Sequence, residues 1–103
     1  MNIRVINNIS DGTLKLIINK IRDRELIEEL TKNKISAVGL FQANVADIIY
    51  ASDIAEKASS VITCEISGCC PQHMICLGIF GTLADVTSAV NSIKEGETVS
   101  KSV

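Results

Sequence analysis

A short cysteine-rich turn carries the residues best suited to chemistry. Cys69 and Cys70 stand between Gly68 and Pro71, and the only histidine, His73, follows. Glycine allows an unusual backbone angle before the cysteine pair, and proline stiffens the chain after it. Such a turn is expected to present a thiol outward, where it can bind a metal or take part in redox chemistry. Adjacent cysteines on one turn seldom point the same way, so one of the two is expected to dominate.

One chain offers few partners for these thiols. Soft metal sites and iron–sulfur clusters take about four thiolate or imidazole ligands, and the sequence has no Cys-x-x-Cys pair and no Cys–His cluster at zinc spacing. A single chain is therefore expected to bind metal poorly. Cys70 with His73 resembles a nucleophile with its base, but no third residue is in place to orient the histidine. We predict that the protein is not an enzyme.

The other two cysteines lie on predicted strands. Cys64 is in phase with Ile62 and Ile66, and Cys76 is in phase with Phe80. Cysteine is among the residues most often buried. Both are therefore predicted to be small apolar residues of the core.

The elements that position the turn follow the order strand, strand, helix, strand, helix, strand, strand, helix. The predicted strands are residues 3–9, 13–21, 35–41, 61–66 and 74–81. The first two are joined at Asp11-Gly12, and the second shows an alternation of Leu14, Leu16 and Ile18 that is typical of a half-buried strand. Residues 35–41 are apolar on both faces, which favours an interior strand. The order predicts an α+β domain with a mostly antiparallel sheet and flanking helices.

Capping residues mark the predicted helices. Asp23 begins a helix that runs to about Asn33, Asn44 with Asp47 begins the next, and Thr82 with Asp85 begins the last, for which Gly96 is the predicted stop. The second helix is expected to direct toward the core Val45, Ile48, Ile49, Ala51, Ala55 and Ala58. The last helix is expected to do so with Leu83, Val86, Val90 and Ile93.

The composition limits the classes of function. The chain has 103 residues, 47% of them hydrophobic and 21% charged, which is typical of one globular domain. Aromatic residues make up only 3% and the net charge is −2, which disfavours nucleic-acid binding. No membrane-spanning segment or secretory signal is evident. The cytoplasm is the expected compartment.

From Ser36 to Gly96 the chain resembles the bacterial microcompartment (BMC) shell domain. The matching stretches are Ala37-Val38-Gly39-Leu40, Ala55-Glu56-Lys57-Ala58, the turn after Glu65, Gly81, Asp85-Val86 and Ala89-Val90. A strand pair and a helix precede this block, with Arg4-Val5-Ile6 and Thr13-Leu14-Lys15-Leu16-Ile17 at the leading strands, and this order is similar to the circularly permuted subfamily. The resemblance implies a permuted BMC domain over residues 1–96, followed by a polar tail over 97–103.

The resemblance also implies a function. Shell domains of this type form flat homohexamers, which tile with other shell proteins around encapsulated enzymes in the bacterial cytoplasm. The loop that would line the central pore is Ser67, Gly68, Cys69, Cys70, Pro71 and Gln72. A ring of such thiols is similar to the permuted branch from glycyl-radical propanediol microcompartments, whose members bind an iron–sulfur cluster at the pore. The Cys-Pro step is similar to the pore loop of the cluster-binding tandem shell proteins of propanediol microcompartments.

For this chain the resemblance implies a 4Fe–4S cluster shared between subunits, with Cys70 as the first choice of ligand and Cys69 as the second. Two alternatives stay open. The loop thiols only narrow the pore, or the chain is a small redox-sensing or metal-binding module of the cytoplasm.

A charged group on the second helix has two interpretations. Asp53, Glu56 and Lys57 fall on one helical stretch. They form either a solvated helix face or a lateral contact between subunits or hexamers.

Overall fold

A four-stranded antiparallel sheet lies at the centre of the protein, in a computed structural model that describes residues 2–33, 35–67 and 74–102. Its strands are β1 (Asn2–Asn7), β2 (Ala37–Ala43), β3 (Ile62–Ile66) and β4 (Ile75–Gly81). The order across the sheet is β1-β2-β4-β3, so β2 and β4 are interior. Together with the helices described below, this arrangement confirms the predicted α+β class.

Each face of the sheet carries its own apolar core. Along β2, Ala37 and Phe41 face one side and Val38 faces the other, as predicted for an interior strand. Helices α3 (Val45–Ala58) and α4 (Leu83–Ser102) cover the first face, and α1 (Asp11–Ile18) and α2 (Arg24–Lys32) lie on the second. The second face, here the α1–α2 core, contains Ile17, Ile21, Leu30, Val38, Cys64, Ile66 and Phe80.

The first predicted strand is confirmed as β1, but no hairpin follows it. Asn8 adopts a φ of 51°, a left-handed conformation that asparagine tolerates better than most residues. The chain then turns into a helix, and Asp11 and Gly12, predicted as a hairpin turn, are the first residues of α1. The strand pair that the resemblance implied is therefore one strand followed by a helix.

The predicted strand at 13–21 is wrong for an identifiable physical reason. The Ser10 hydroxyl accepts a hydrogen bond from the Thr13 N–H at 3.3 Å, which caps a helix. Ile17 is buried in the α1–α2 core, whereas its neighbour Leu16 is 63% exposed. A short run of alternating aliphatic residues satisfies the period of a strand and that of a helix alike. The cap and the core contact select the helix.

Helix α3 begins where it was predicted to begin. The Asn44 side-chain oxygen accepts a hydrogen bond from the Asp47 N–H at 3.0 Å. Of the residues predicted to face the core, those buried are Ile48, Ala51 and Ala55. Those that are exposed instead are Val45, Ile49 and Ala58. A helix that lies on a sheet buries only one stripe of its surface. The stripe predicted from the sequence is wider than the one that the structure buries.

The first and last predicted helices also have the expected caps. Asp23 accepts a hydrogen bond from the Glu25 N–H at 3.0 Å at the start of α2. Thr82 accepts one from the Asp85 N–H at 3.2 Å before α4. Leu83, predicted to face the core, is partly exposed, whereas the buried residues of α4 are Val86, Ala89, Val90 and Ile93.

Gly96 does not end α4, which continues to Ser102. A Cβ atom at Gly96 would lie 2.8 Å from the Cδ1 atom of Ile54 on α3. The glycine therefore serves the close approach of two helices rather than a stop. The boundary between a domain at 1–96 and a tail at 97–103 stays a prediction. In the described ranges, no helix combines the length and the apolar character that a bilayer span requires.

The Asn44 cap gives a first test of the fold. Asn44→Ala removes the acceptor for the Asp47 N–H and is expected to lower the free energy of unfolding by about 1 kcal/mol. Urea unfolding followed by circular dichroism measures the change. Asn44→Asp keeps an acceptor and is the matched control; equal losses in both variants would contradict the capping role.

Candidate functional site at the β3–β4 hairpin

The candidate loop leaves the sheet between two paired strands. β3 and β4 are antiparallel, and their last described pair is Ile66 with Cys76. Just beyond it, the Ser67 N–H donates a hydrogen bond to the Lys20 carbonyl oxygen at 2.7 Å. The segment between α1 and α2 thus contacts the start of the loop, so the hairpin base has a partner outside the sheet.

The predicted ligands lie outside the described residues. This applies to Cys69 and Cys70, and to the neighbouring Gly68, Pro71, Gln72 and His73. Of the predicted pore loop, the structure places Ser67 alone. The assignment of Cys70 as first ligand and Cys69 as second stays a prediction.

Cys64 is a core residue, as predicted, whereas Cys76 is less buried than predicted. Cys64 is 5% exposed in the α1–α2 core, and Cys76 is partly buried beside it. Burial raises the pKa of the Cys64 thiol to about 12, with smaller contributions from Asp23 and Cys76. Burial also raises the pKa of Cys76. Burial therefore disfavours the thiolate form of both side chains, which is the form that binds a metal.

This finding limits where a metal can bind. Among residues 2–33, 35–67 and 74–102, no group of three or more His, Cys, Asp or Glu side chains is placed to hold a metal ion. The chain has four cysteines, and burial disfavours the thiolate form of the two on strands. Cys69 and Cys70 are left as the thiolate donors. A cluster with four thiolate ligands therefore fits only if several chains contribute.

Cys64 is expected to resist alkylation at pH 8. Its pKa rises from an ordinary 9.0 to about 12, so the thiolate fraction is about a thousandfold lower than in the unfolded chain. Labelling with iodoacetamide, followed by peptide mass spectrometry, compares the native protein with the protein in urea. Equal labelling rates in both would contradict the burial of this thiol.

The raised pKa of Cys64 also predicts how the stability of the fold changes at alkaline pH. As the pH rises, the unfolded chain ionises Cys64 before the folded chain does, because the folded pKa is higher. The stabilisation is complete below pH 9 and is lost as the pH rises toward about 12. Cys64→Ala should remove this part of the alkaline decline in urea-unfolding free energy.

The charged group on α3 divides into two parts. The Lys57 ammonium lies 2.8 Å from the Asp53 carboxylate, in an exposed pair that raises the pKa of Lys57. Glu56 instead accepts a hydrogen bond from the Thr63 hydroxyl on β3 at 2.8 Å, and Thr63 is also 2.8 Å from the Ser52 hydroxyl. Ser52 and Thr63 have no signal in the sequence, since only the packing of α3 on β3 brings them to Glu56.

A groove of about 360 Å³ runs between α3 and the outer strand β3. The buried Ile48 and Leu77 give it an apolar floor, and Ile49, Glu56 and Glu65 line it nearer the surface. Ile49 is 66% exposed. Apart from the apolar residues of α3, no sequence pattern indicates this groove, because the pattern assigns Ile49 to the core.

Comparison with known proteins places this arrangement among solved structures. No protein-family model and no curated protein sequence matches the chain. The ligand-free GrpU microcompartment shell protein from Pectobacterium wasabiae superimposes with a TM-score of 0.74 at 29% identity, over 90% of this chain and 99% of that one. The ligand-free GrpU shell protein from Clostridiales bacterium 1_7_47FAA gives a TM-score of 0.70 at 30% identity, over 95% and 93%.

These similarities extend over nearly the whole length of both chains. The neighbours are structural proteins and not enzymes, which confirms the prediction that this protein is not an enzyme. By fold and by sequence identity, the chain belongs to the microcompartment shell proteins of the BMC family.

Proposed function

We propose that this protein is a homohexameric shell subunit of a bacterial microcompartment in the cytoplasm, with the hairpin loop at residues 67–72 lining a central pore. The observation that carries the proposal is the match to two GrpU microcompartment shell proteins over at least 90% of the chain. The subunit acts by assembly: its edges join copies of itself and other shell proteins into a barrier, and its loop sets what crosses.

We further propose that Cys70, or Cys69 in second place, binds an iron–sulfur cluster shared between subunits. The support is the donor count. Burial disfavours the thiolate form of Cys64 and Cys76. One short loop per chain is therefore left as the source of thiolates. A ring of subunits brings several such loops to one axis, and four thiolates satisfy a 4Fe–4S cluster. When bound, the cluster supplies one-electron chemistry at the pore.

The residues described near the loop support its position. The hydrogen bond from Ser67 to the Lys20 carbonyl and the pairing of Ile66 with Cys76 fix the base of the hairpin. Asp53 and Lys57, exposed on α3, remain available for a lateral contact. That contact between subunits or hexamers stays a prediction, with the solvated face as its alternative.

Native mass spectrometry on protein purified without oxygen tests the proposal. A six-subunit mass with added iron and sulfide supports both the assembly and the cluster. A bare hexamer keeps the shell function and reduces Cys69 and Cys70 to pore lining. A monomer contradicts the shell assembly and favours the alternative of a small redox-sensing or metal-binding module.

A further inference from the structure

The two outer strands of the sheet present different surfaces on opposite sides of the subunit. β1 is one edge and β3 is the other, with β2 and β4 between them. A ring of identical subunits needs two such surfaces, because each copy contacts the next through a different patch on each side. The opposite edges of this sheet meet that requirement.

The β3 side is acidic and partly apolar. Its groove has exposed Ile49 above a buried floor, with Glu56 and Glu65 at the rim. The Thr63 hydroxyl holds the Glu56 carboxylate at 2.8 Å, which fixes one acceptor in place. The groove has one wall from α3 and one from β3, so it suits a strand edge that carries an aliphatic side chain on one face and a cation on the other.

The β1 side carries that combination. Arg4 and Val5 are consecutive on the outer strand, so their side chains point to opposite faces of the sheet, Val5 to the α3–α4 side and Arg4 to the α1–α2 side. Arg4 is exposed, and Val5 is 43% exposed. A guanidinium matches carboxylates in charge and in hydrogen-bond geometry, and Val5 offers an apolar surface comparable to that of Ile49. Arg4 is the only cationic residue of β1.

We propose that the β1 edge of one subunit docks in the α3–β3 groove of the next copy of this chain, with Arg4 beside Glu65 and Glu56, and Val5 against Ile49. The inference rests on the proposed hexamer and names the contact that closes it. Each subunit gives its β1 edge to one neighbour and its groove to the other.

Complementary charge reversals test this contact. Arg4→Glu and Glu65→Lys each place like charges at every junction of the ring. Glu65 is chosen over Glu56 because Glu56 also bonds to Thr63 within the subunit. For each variant alone, the amount of hexamer at a fixed protein concentration is expected to fall at least about tenfold. Native mass spectrometry measures the hexamer, and Glu28→Lys, an exposed reversal on α2, is the control that keeps it.

Mixing the two variants gives the decisive result. In an alternating ring, the reversed edge of the first variant meets the reversed groove of the second, and the unchanged edge meets the unchanged groove. Equal amounts are therefore expected to form a hexamer with three copies of each, which also shows that both variants are folded. If either variant alone stays hexameric, or if the mixture does not form a hexamer, the proposed contact is wrong, even where the wild type is a hexamer. A wild type that is not hexameric overturns the proposed assembly as well.

Discussion

Replacement of Cys70 by serine is expected to abolish bound iron and brown colour in protein prepared without oxygen. A serine hydroxyl is a poor substitute for a thiolate ligand of iron. The strand cysteines are not expected to take over, because burial disfavours the thiolate form of Cys64 and Cys76. Iron and sulfide analysis, together with the visible absorption spectrum, measures the loss, and native mass spectrometry should still show a hexamer.

Two further variants sharpen this result. Cys76→Ala removes a partly buried thiol from the same chain and is expected to keep wild-type iron. Cys69→Ser is expected to lose less iron than Cys70→Ser. Wild-type iron in Cys70→Ser would move the ligand to Cys69 or elsewhere, and equal iron loss in all three variants would indicate damage to the assembly rather than to a ligand.

Phe80→Ala is expected to cause the largest loss of stability in the subunit. The ring is fully buried in the α1–α2 core, where it lies against Gly78 two residues earlier on β4. A Cβ atom at Gly78 would be 2.6 Å from the Cε2 atom of Phe80, so the glycine leaves the space that the ring fills. Truncation of a buried phenylalanine costs about 3–5 kcal/mol, a large share of the roughly 5–15 kcal/mol that stabilises a small domain.

Thermal and urea unfolding measure this effect. The expected fall in melting temperature is about 12 °C or more, at one fixed protein concentration because assembly raises the apparent stability. Phe80→Leu fills most of the space and is the control with the smaller loss. A Phe80→Ala variant within about 1 kcal/mol of the wild type would contradict the role of this ring in the core.

The sequence predicted elements well where local and tertiary signals agree. β2 was recognised because both of its faces are apolar, and α3 because Asn44 caps it. Prediction from the sequence failed where one local pattern fits both a strand and a helix. Leu14, Leu16 and Ile18 alternate as in a strand, yet the Ser10 cap and the burial of Ile17 select a helix.

Other errors arose from contacts that join distant parts of the chain. Gly96 was interpreted as a stop because glycine often ends helices, whereas the approach of Ile54 from α3 accounts for it. Ile49 was assigned to the core because it is aliphatic, but the placement of α3 on the sheet leaves it exposed.

The candidate site was predictable in part. Cys64 was correctly assigned to the core from the two-residue period of its strand, whereas Cys76 is only partly buried against that core. The hydrogen bond from Ser67 to Lys20 and the link from Thr63 to Glu56 had no sequence signal. Both join residues whose proximity depends on how helices and strands pack, and no local pattern encodes that packing.

The sequence separation between β1 and its partner β2 has a consequence for folding during synthesis. β1 pairs with β2, and the paired residues are separated by 30 positions at Asn7 and Ala37 and by 40 at Asn2 and Gln42. The β3–β4 pair at Ile66 and Cys76 spans only 10. At roughly 5–20 residues per second, β1 leaves the ribosome a few seconds before its partner strand does. In that interval the charge of Arg4 at the middle of an aliphatic strand disfavours pairing with other nascent chains.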